Sequence, residues 1–557
     1  MFIRQSKSRK NGKEYSSFQI ANSYRDENNV VRQETLLHLG PANKFLEKDV
    51  DNLINGLLKA KGITTENLGS AADEVKSFGQ IWAFLYLWKE LKISQVIERC
   101  KKNTKIEFDI EKHIQCLVFN RLDDPCSKLK LLTWLEQVHI PNIRTEDIRY
   151  EYLLRSMDFL VENKNKIEDS IAKQILHLFN SELTVCFYDL TSTYFEAESS
   201  ITDDDIRRNG YSRDMRSDRE QIVIGVVMSS DGIPLSHYVF PGNTSDRSTL
   251  QEVMQDICKR YKVNKVKLIA DKGLVSGDNL KYLISSGKEF ILGDSAKQTT
   301  IAKEVIQEAD ASRKINNKNN EEYIYEAVKT RTIVHYKKMR ENIELRYVSC
   351  YNPEMAMKRF STRTSNISKS LEALEEIQNK SISVEDKYSK IKELLNRKHL
   401  GRFFRIEKKG DKVEITKKEE ALIQEEKSDG WFMVITTDRS SKKEAIIEQY
   451  KDLKHIEHCF YELKHSLDLR PNHHWTKERI KGHVMICFIS YQLSVLLESR
   501  LKQINLSWER SVEKLRRQVV IIWNQEGKTI HGLTKTNSEQ TEIYTKLGVG
   551  KPTLFNL

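Results

Sequence analysis

None of the eight cysteines is spaced Cys-x-x-Cys and none clusters with histidine, so they read as reduced, mostly buried thiols of a cytosolic protein. The N-terminus, MFIRQSKSRKNGKEYSS, lacks an apolar core and is no signal peptide. The longest apolar run, 484–497, is too short to span a bilayer and is interrupted by Ser490, Tyr491, Gln492 and Ser494. Internal repeats and low-complexity tracts are missing too. These absences imply a cytoplasmic protein without a membrane segment.

What is present is length and charge. At 557 residues the chain exceeds one hydrophobic core, and three or four domains are expected. Hydrophobic residues are 39% and charged residues 31%, a folded and surface-rich balance. The net charge of +11, from 91 Lys and Arg against 80 Asp and Glu, suits a polyanionic partner.

In order, 1–41 alternates like a small antiparallel sheet ending at Gly40-Pro41. Residues 42–180 are helical in pattern and form a domain of a size to present a helix to the major groove, although no helix-turn-helix signature stands out. At 183 the texture changes. Strands at 183–189, 221–228 and 233–240 form a meander, followed by a helix (244–261, with Thr244 as its cap), a strand (266–271), a helix (279–286) and a strand (289–293). That order is a ribonuclease H-like α/β core, with 181–295 as its first part. Residues 296–437 read as a β-rich insertion with a charged helical arm, although 430–437 also fits a strand rejoining the main sheet. Residues 438–503 supply closing helices. Residues 504–557 form a C-terminal region suited to dimerisation or DNA contact.

The stretch 441–467 is the most informative. Ser441 and Glu444 have capping-box spacing. Leu453, Ile456, Phe460, Leu463 and Leu467 then form one apolar stripe. Tyr450, Glu457 and Lys464 recur every seven residues and drift by only about 20° per step, making a row along its edge. From spacing alone that row fits a solvated helix edge as well as a cleft.

Asp189 and Asp271 both end predicted buried strands. Carboxylates crowded at strand ends are costly unless a cation neutralises them. With Glu457 they suit two Mg²⁺ ions, for which Mn²⁺ can substitute, and an in-line displacement at phosphorus. Each Asp alone would read as an ordinary turn residue. His473 and His474 have no cysteine or acidic partner nearby, and Trp475 reads as a packing residue.

Tyr450, Leu453, Glu457 and Lys464 stand at the offsets of Tyr-x2-Arg-x3-Glu-x6-Lys, and 187–191 (FYDLT), 268–273 (LIADKG), 210–214 (GYSRD) and 240–246 (FPGNTSD) also look like family segments. In these motifs the chain resembles bacterial insertion-sequence DDE transposases of the "IS-four" group, over roughly 180–500. The resemblance implies that Asp189, Asp271 and Glu457 are a metal-binding catalytic triad. It implies that Tyr450 and Lys464 contact phosphates and displaced bases near the transposon end. Leu453 departs from the signature Arg, whose phosphate contact passes to Lys454 or Arg470. Arg213, in the segment after the first strand, either reaches DNA or is solvated. Trp431 is a candidate for holding a flipped base because it is aromatic. The implied partners are terminal inverted repeats and target DNA, held by a homodimer in the nucleoid, and cut-and-paste relatives imply hairpin ends. Two other readings remain: a transposase-derived DNA-binding protein that no longer cuts, and a structure-selective nuclease.

Overall fold

The computed structural model describes residues 2–10, 13–26, 30–41, 72–102, 104–181, 183–196, 205–263, 266–295, 299–317, 321–410, 412–525 and 528–553. The expected helices between 42 and 71 lie outside them. The chain divides into two compact units.

The first unit comprises Met1–Lys89, Lys112–Leu153 and Leu496–Leu557. Strands β1 (Phe2–Lys10), β2 (Lys13–Arg25) and β3 (Val31–Pro41) form the antiparallel sheet anticipated from the alternation, with β1 as an additional strand. β4 (Glu74–Ser77) belongs to a three-stranded sheet completed near the C-terminus. The helical stretch expected as one block contributes to both units, because Ile93–Lys101 packs on Lys164–Leu178 within the second.

The second unit, Glu90–Glu111 with Leu154–Val495, holds the large sheet. Its strands are β5 (Val185–Tyr194), β6 (Gln221–Ser229), β7 (Pro234–Pro241), β8 (Lys267–Ala270), β9 (Phe290–Asp294), β10 (Tyr323–His335) and β11 (Met339–Tyr351). β12 (Phe404–Lys409) and β13 (Lys412–Lys417) pair only with each other, and β14 (Trp431–Thr436) returns to the sheet. The strand order is β10-β11-β14-β9-β8-β5-β6-β7. β5, β6 and β7 are an antiparallel meander, while β8 is parallel to both β5 and β9. That central order is consistent with the expected ribonuclease H-like core. β6 (QIVIGVVMS) is buried at every position, as a central strand covered on both faces must be.

Much of the β-structure between 296 and 437 extends this sheet and does not stand apart from it. β14 (WFMVIT) is largely buried and pairs with β9 on one side and β11 on the other. β10 is the edge strand, with every second residue exposed along much of its length. The segment between β11 and β14 has a small core of its own, built on Ile367, Leu374, Ile391, Leu395, Phe403 and Leu422. This helical arm carries the helices Pro353–Gln378, Val384–Arg397 and Glu419–Lys427.

The stretch 441–467 forms two helices, Lys443–Lys451 and Lys454–His465. Between them Leu453 N donates to Tyr450 O and Ile456 N to Leu453 O, a tightened turn of the 3₁₀ type. The apolar stripe is buried as anticipated. The capping box does not form. The Ser441 hydroxyl bonds the Asp438 carboxylate, which also accepts from Ser440 N at 2.8 Å and Ser441 N at 2.9 Å, so Lys442 caps the helix without a side-chain bond. Thr244 is likewise not a cap, because the helix Asp246–Tyr261 is preceded by Ser245. By length and composition one helical segment among the described residues, Lys477–Ile504, would reach across a membrane, but 89% of its apolar window is buried inside the fold.

Candidate active site

Asp189 and Asp271 meet because of strand register. β5 and β8 run parallel with Tyr188 opposite Ala270, which brings the next residues, Asp189 and Asp271, together. Asp271 follows the end of β8 as expected, but Asp189 lies mid-strand, because pairing with β6 carries β5 on to Tyr194. Alternation along β5 sends Tyr188 to the opposite face from Asp189. There the Tyr188 hydroxyl donates to Thr249 Oγ1 at 2.7 Å. On the Asp189 face, Phe187 lies 6.4 Å from the ring of His455, so the helix Lys454–His465 covers this side of β5. Burial pushes the Asp189 carboxyl up to about 7. Asp271 and Asp246 push the same way, and the Leu190 N–H and Arg213 oppose them.

Tyr450, at the end of the preceding helix, donates to Asp271 Oδ1 at 3.2 Å. Burial, together with Asp271, Asp189 and Glu457, raises its phenol well above the usual range, so it stays a donor. Gly293 on β9 makes this contact possible. A Cβ there would run into the Tyr450 hydroxyl and would lie 3.0 Å from Lys272 N and 3.2 Å from Asp271 Oδ1.

Glu457 is exposed in the first turn of its helix. It presses electrostatically on Tyr450. Among the described residues, no three of His, Cys, Asp and Glu gather at metal-holding distances. The structure therefore brings together a carboxylate pair, with Glu457 beside Tyr450. As a donor set, two hard carboxylates brought together by adjacent strands, one with its proton affinity raised by burial and, less, by its acidic neighbours, fit a divalent cation.

A second cluster flanks the first. Lys464 Nζ and Arg470 Nη1 both reach Asp214 Oδ1, at 2.9 and 2.8 Å. Burial lowers the Lys464 pKa, as do Arg470 and Arg213, while Asp214 counters them. Arg213 donates to Asp246 Oδ2 at 2.6 Å, and its backbone N–H donates to Ser192 Oγ at 3.0 Å. Arg213, Asp246, Tyr211 and Gly273 line a cleft of about 350 Å³. Nothing in the sequence marks Gly293, and Asp214 and Asp246 carry no signal beyond lying in the family-like segments 210–214 and 240–246.

Leu453 is buried, so the signature position is apolar here. Of its two substitutes, Lys454 is exposed beside Asp452 at 3.5 Å, whereas Arg470 joins the Lys464 cluster. Trp431 is only 2% exposed and packs on Tyr351 at 5.3 Å, so its ring offers no face for stacking on a base. Trp475, expected to pack, is instead 56% exposed with Arg207 lying 5.3 Å over its ring. His474 lies 5.6 Å from the ring of His483.

Residues 196–493, more than half of the chain, match the transposase DDE domain family. The chain belongs to the DDE transposases. Residues 3–72 match the N-terminal domain of IS1634 family transposases, so this is an insertion-sequence transposase at both ends of the comparison. The DDE match takes in Asp271 and Glu457 and begins just after Asp189. No curated protein matches the chain.

Proposed function

We propose that this transposase binds the terminal inverted repeats of its own element, pairs the two ends as a homodimer, cuts them and joins them to target DNA. The observation that carries the reading is the juxtaposition of Asp189 and Asp271 that follows from Tyr188 standing opposite Ala270 across β5 and β8, with Tyr450 donating to Asp271. Asp189 and Asp271, with Glu457 as third donor, would hold Mg²⁺. Two such ions, when bound, supply an activated water or 3′-hydroxyl and charge stabilisation for in-line displacement at phosphorus.

The chain's own residues orient that chemistry. Tyr450 keeps its proton and holds Asp271 by one oxygen. Arg213 lines the cleft, and Lys464 and Arg470 gather on the neighbouring residue Asp214; phosphate oxygens can replace or share the carboxylate partners of all three. Hairpin ends, as in cut-and-paste relatives, complete the proposal.

A second reading, a transposase-derived DNA-binding protein that no longer cuts, is favoured by one observation: Glu457 is exposed and no three-acid cluster forms among the described residues. One experiment separates the two. Purified protein is incubated with Mg²⁺ and a linear duplex carrying one element end, beside Asp189→Asn, Asp271→Asn and Glu457→Gln variants. Nicking at the element boundary by wild type, with variants that bind but do not cut, supports the transposase reading. Tight binding without cutting in Mg²⁺ or Mn²⁺ replaces it with the second.

A further inference from the structure

The helix Pro353–Gln378 is divided in charge along its length. From Met355 to Leu371 it carries Lys358, Arg359, Arg363 and Lys369, no acidic residue, and seven Ser, Thr or Asn residues. Its last turns carry Glu372, Glu375 and Glu376 instead. Ile367 and Leu374 anchor the helix on the core of the arm, which leaves most of the acid-free half facing outward.

Beside this half runs a cleft of about 530 Å³, lined on the helix by Lys358, Arg359 and Arg363 and after the next helix by Lys398, His399 and Arg402. Two of these cations have acidic partners: Arg363 pairs with Asp429 at 2.7 Å and Arg402 with Glu425 at 3.0 Å. Among the described residues no carboxylate pairs with Lys358, Arg359 or Lys398, and Arg359 donates to a neutral carbonyl, that of Trp431, at 3.3 Å. Phe360, 51% exposed, stands next to them.

We propose that this face of the arm is a DNA-backbone contact separate from the carboxylate pair, gripping the phosphates of duplex DNA. It rests on the reading of the chain as a transposase that acts on DNA. Arg, Lys and hydroxyl groups are the donors that hold phosphate and sugar, and although Glu425 and Asp429 also line the cleft, they pair with Arg402 and Arg363 and leave Lys358, Arg359 and Lys398 without a carboxylate among the described residues. Four residues of helix rise about 6 Å, so Lys358, Thr362 and Asn366 form a row of donors along the cleft, and the acid-free half is roughly 25 Å long. A protein partner would call for an exposed apolar centre, whereas the apolar residues of this cleft are Met355, Leu400 and Phe403, the last two buried in the core of the arm, beside five Lys and Arg side chains.

The test uses the full-length protein and a fluorescent duplex carrying one element end, with affinity measured by anisotropy between 50 and 200 mM salt. The variant combines Lys358→Ala, Arg359→Ala and Lys398→Ala. Its control combines Lys408→Ala, Lys409→Ala and Lys412→Ala on the β12–β13 hairpin of the same arm. Each lost phosphate contact lowers the salt slope by about 0.9, so the first variant is expected to lose between two and three units of slope and bind at least about ten-fold more weakly. Its melting temperature, and its nicking rate at saturating DNA, should match wild type. An unchanged slope overturns the proposal, and so does an equal loss in the control, which would reduce the effect to net charge. Loss of poly-glutamate binding with DNA binding intact would place an acidic protein there instead. Failure of the catalytic reading looks different: wild type does not cut, or Asp271→Asn still does.

Discussion

The Tyr450 hydroxyl donates to the Asp271 carboxylate at 3.2 Å, joining the helix Lys443–Lys451 to the end of β8. The ring also stacks on Phe432 at 6.1 Å, so the side chain is anchored independently of its oxygen. Tyr450→Phe should therefore keep the fold and lose the donor. A hydrogen bond to a charged group contributes about 1.5–3 kcal/mol, so end cleavage should fall roughly 10- to 100-fold while end binding changes little. Gel-resolved nicking rates beside melting curves check this. Cleavage equal to wild type would remove Tyr450 from the site.

Gly293 is the residue that leaves room for that contact. In Gly293→Ala the new methyl meets the Tyr450 hydroxyl and the Asp271 carboxylate. Overpacking costs about 1–3 kcal/mol, and cleavage should drop further than in Tyr450→Phe because both groups are displaced. Gly273→Ala is the milder counterpart, since its methyl would stand 3.1 Å from Asp246 Oδ2 alone.

Asp214 holds two cations with one oxygen. Asp214→Asn should leave Lys464 and Arg470 facing each other without compensation, at a cost of about 3 kcal/mol in unfolding experiments. The same change frees them for phosphate, so DNA affinity should rise and become more salt-dependent. A lower melting temperature with weaker DNA binding would mean that Asp214 is only structural.

In the first unit, burial pushes the His139 imidazole down to about 4, with His531 and Lys76 acting in the same direction. The folded state thus keeps it neutral, whereas the unfolded chain takes up a proton below about 6.5. Its contribution to stability is full above 6.5 and is lost as pH falls from 6.5 towards 4. His139→Phe should flatten the fall in melting temperature over that window. A curve parallel to wild type would show that other groups set the acid sensitivity.

Several elements were legible in the residues because their signals are local. The apolar run from Leu183, the apolar stripe from Leu453 to Leu467 and the acid that follows β8 each come from a short periodic pattern, whereas β5 runs on past Asp189 to Tyr194 because Leu190–Tyr194 pair with β6. The capping box at Ser441 fails because Asp438, three residues before it and held in place by the distant Lys267, draws the serine hydroxyl away from the helix. Trp431 and Trp475 were misplaced for a related reason. An aromatic residue carries no local sign of whether neighbours will cover it, and here β11 and β9 flank the first while the second remains open to Arg207.

By itself the sequence determined the basic, multidomain character of the chain, the strand and helix order around 183–293, and two aspartates on or beside buried strands. These depend on composition and on periods of two and 3.6 residues. Only the tertiary structure decided that β10, β11 and β14 extend the main sheet, and that Asp214 gathers Lys464 and Arg470. It also decided that Gly293 makes space for Tyr450 against Asp271. Each of those relations joins residues far apart in the chain, where pairing register and close packing choose the partner and no local pattern can name it.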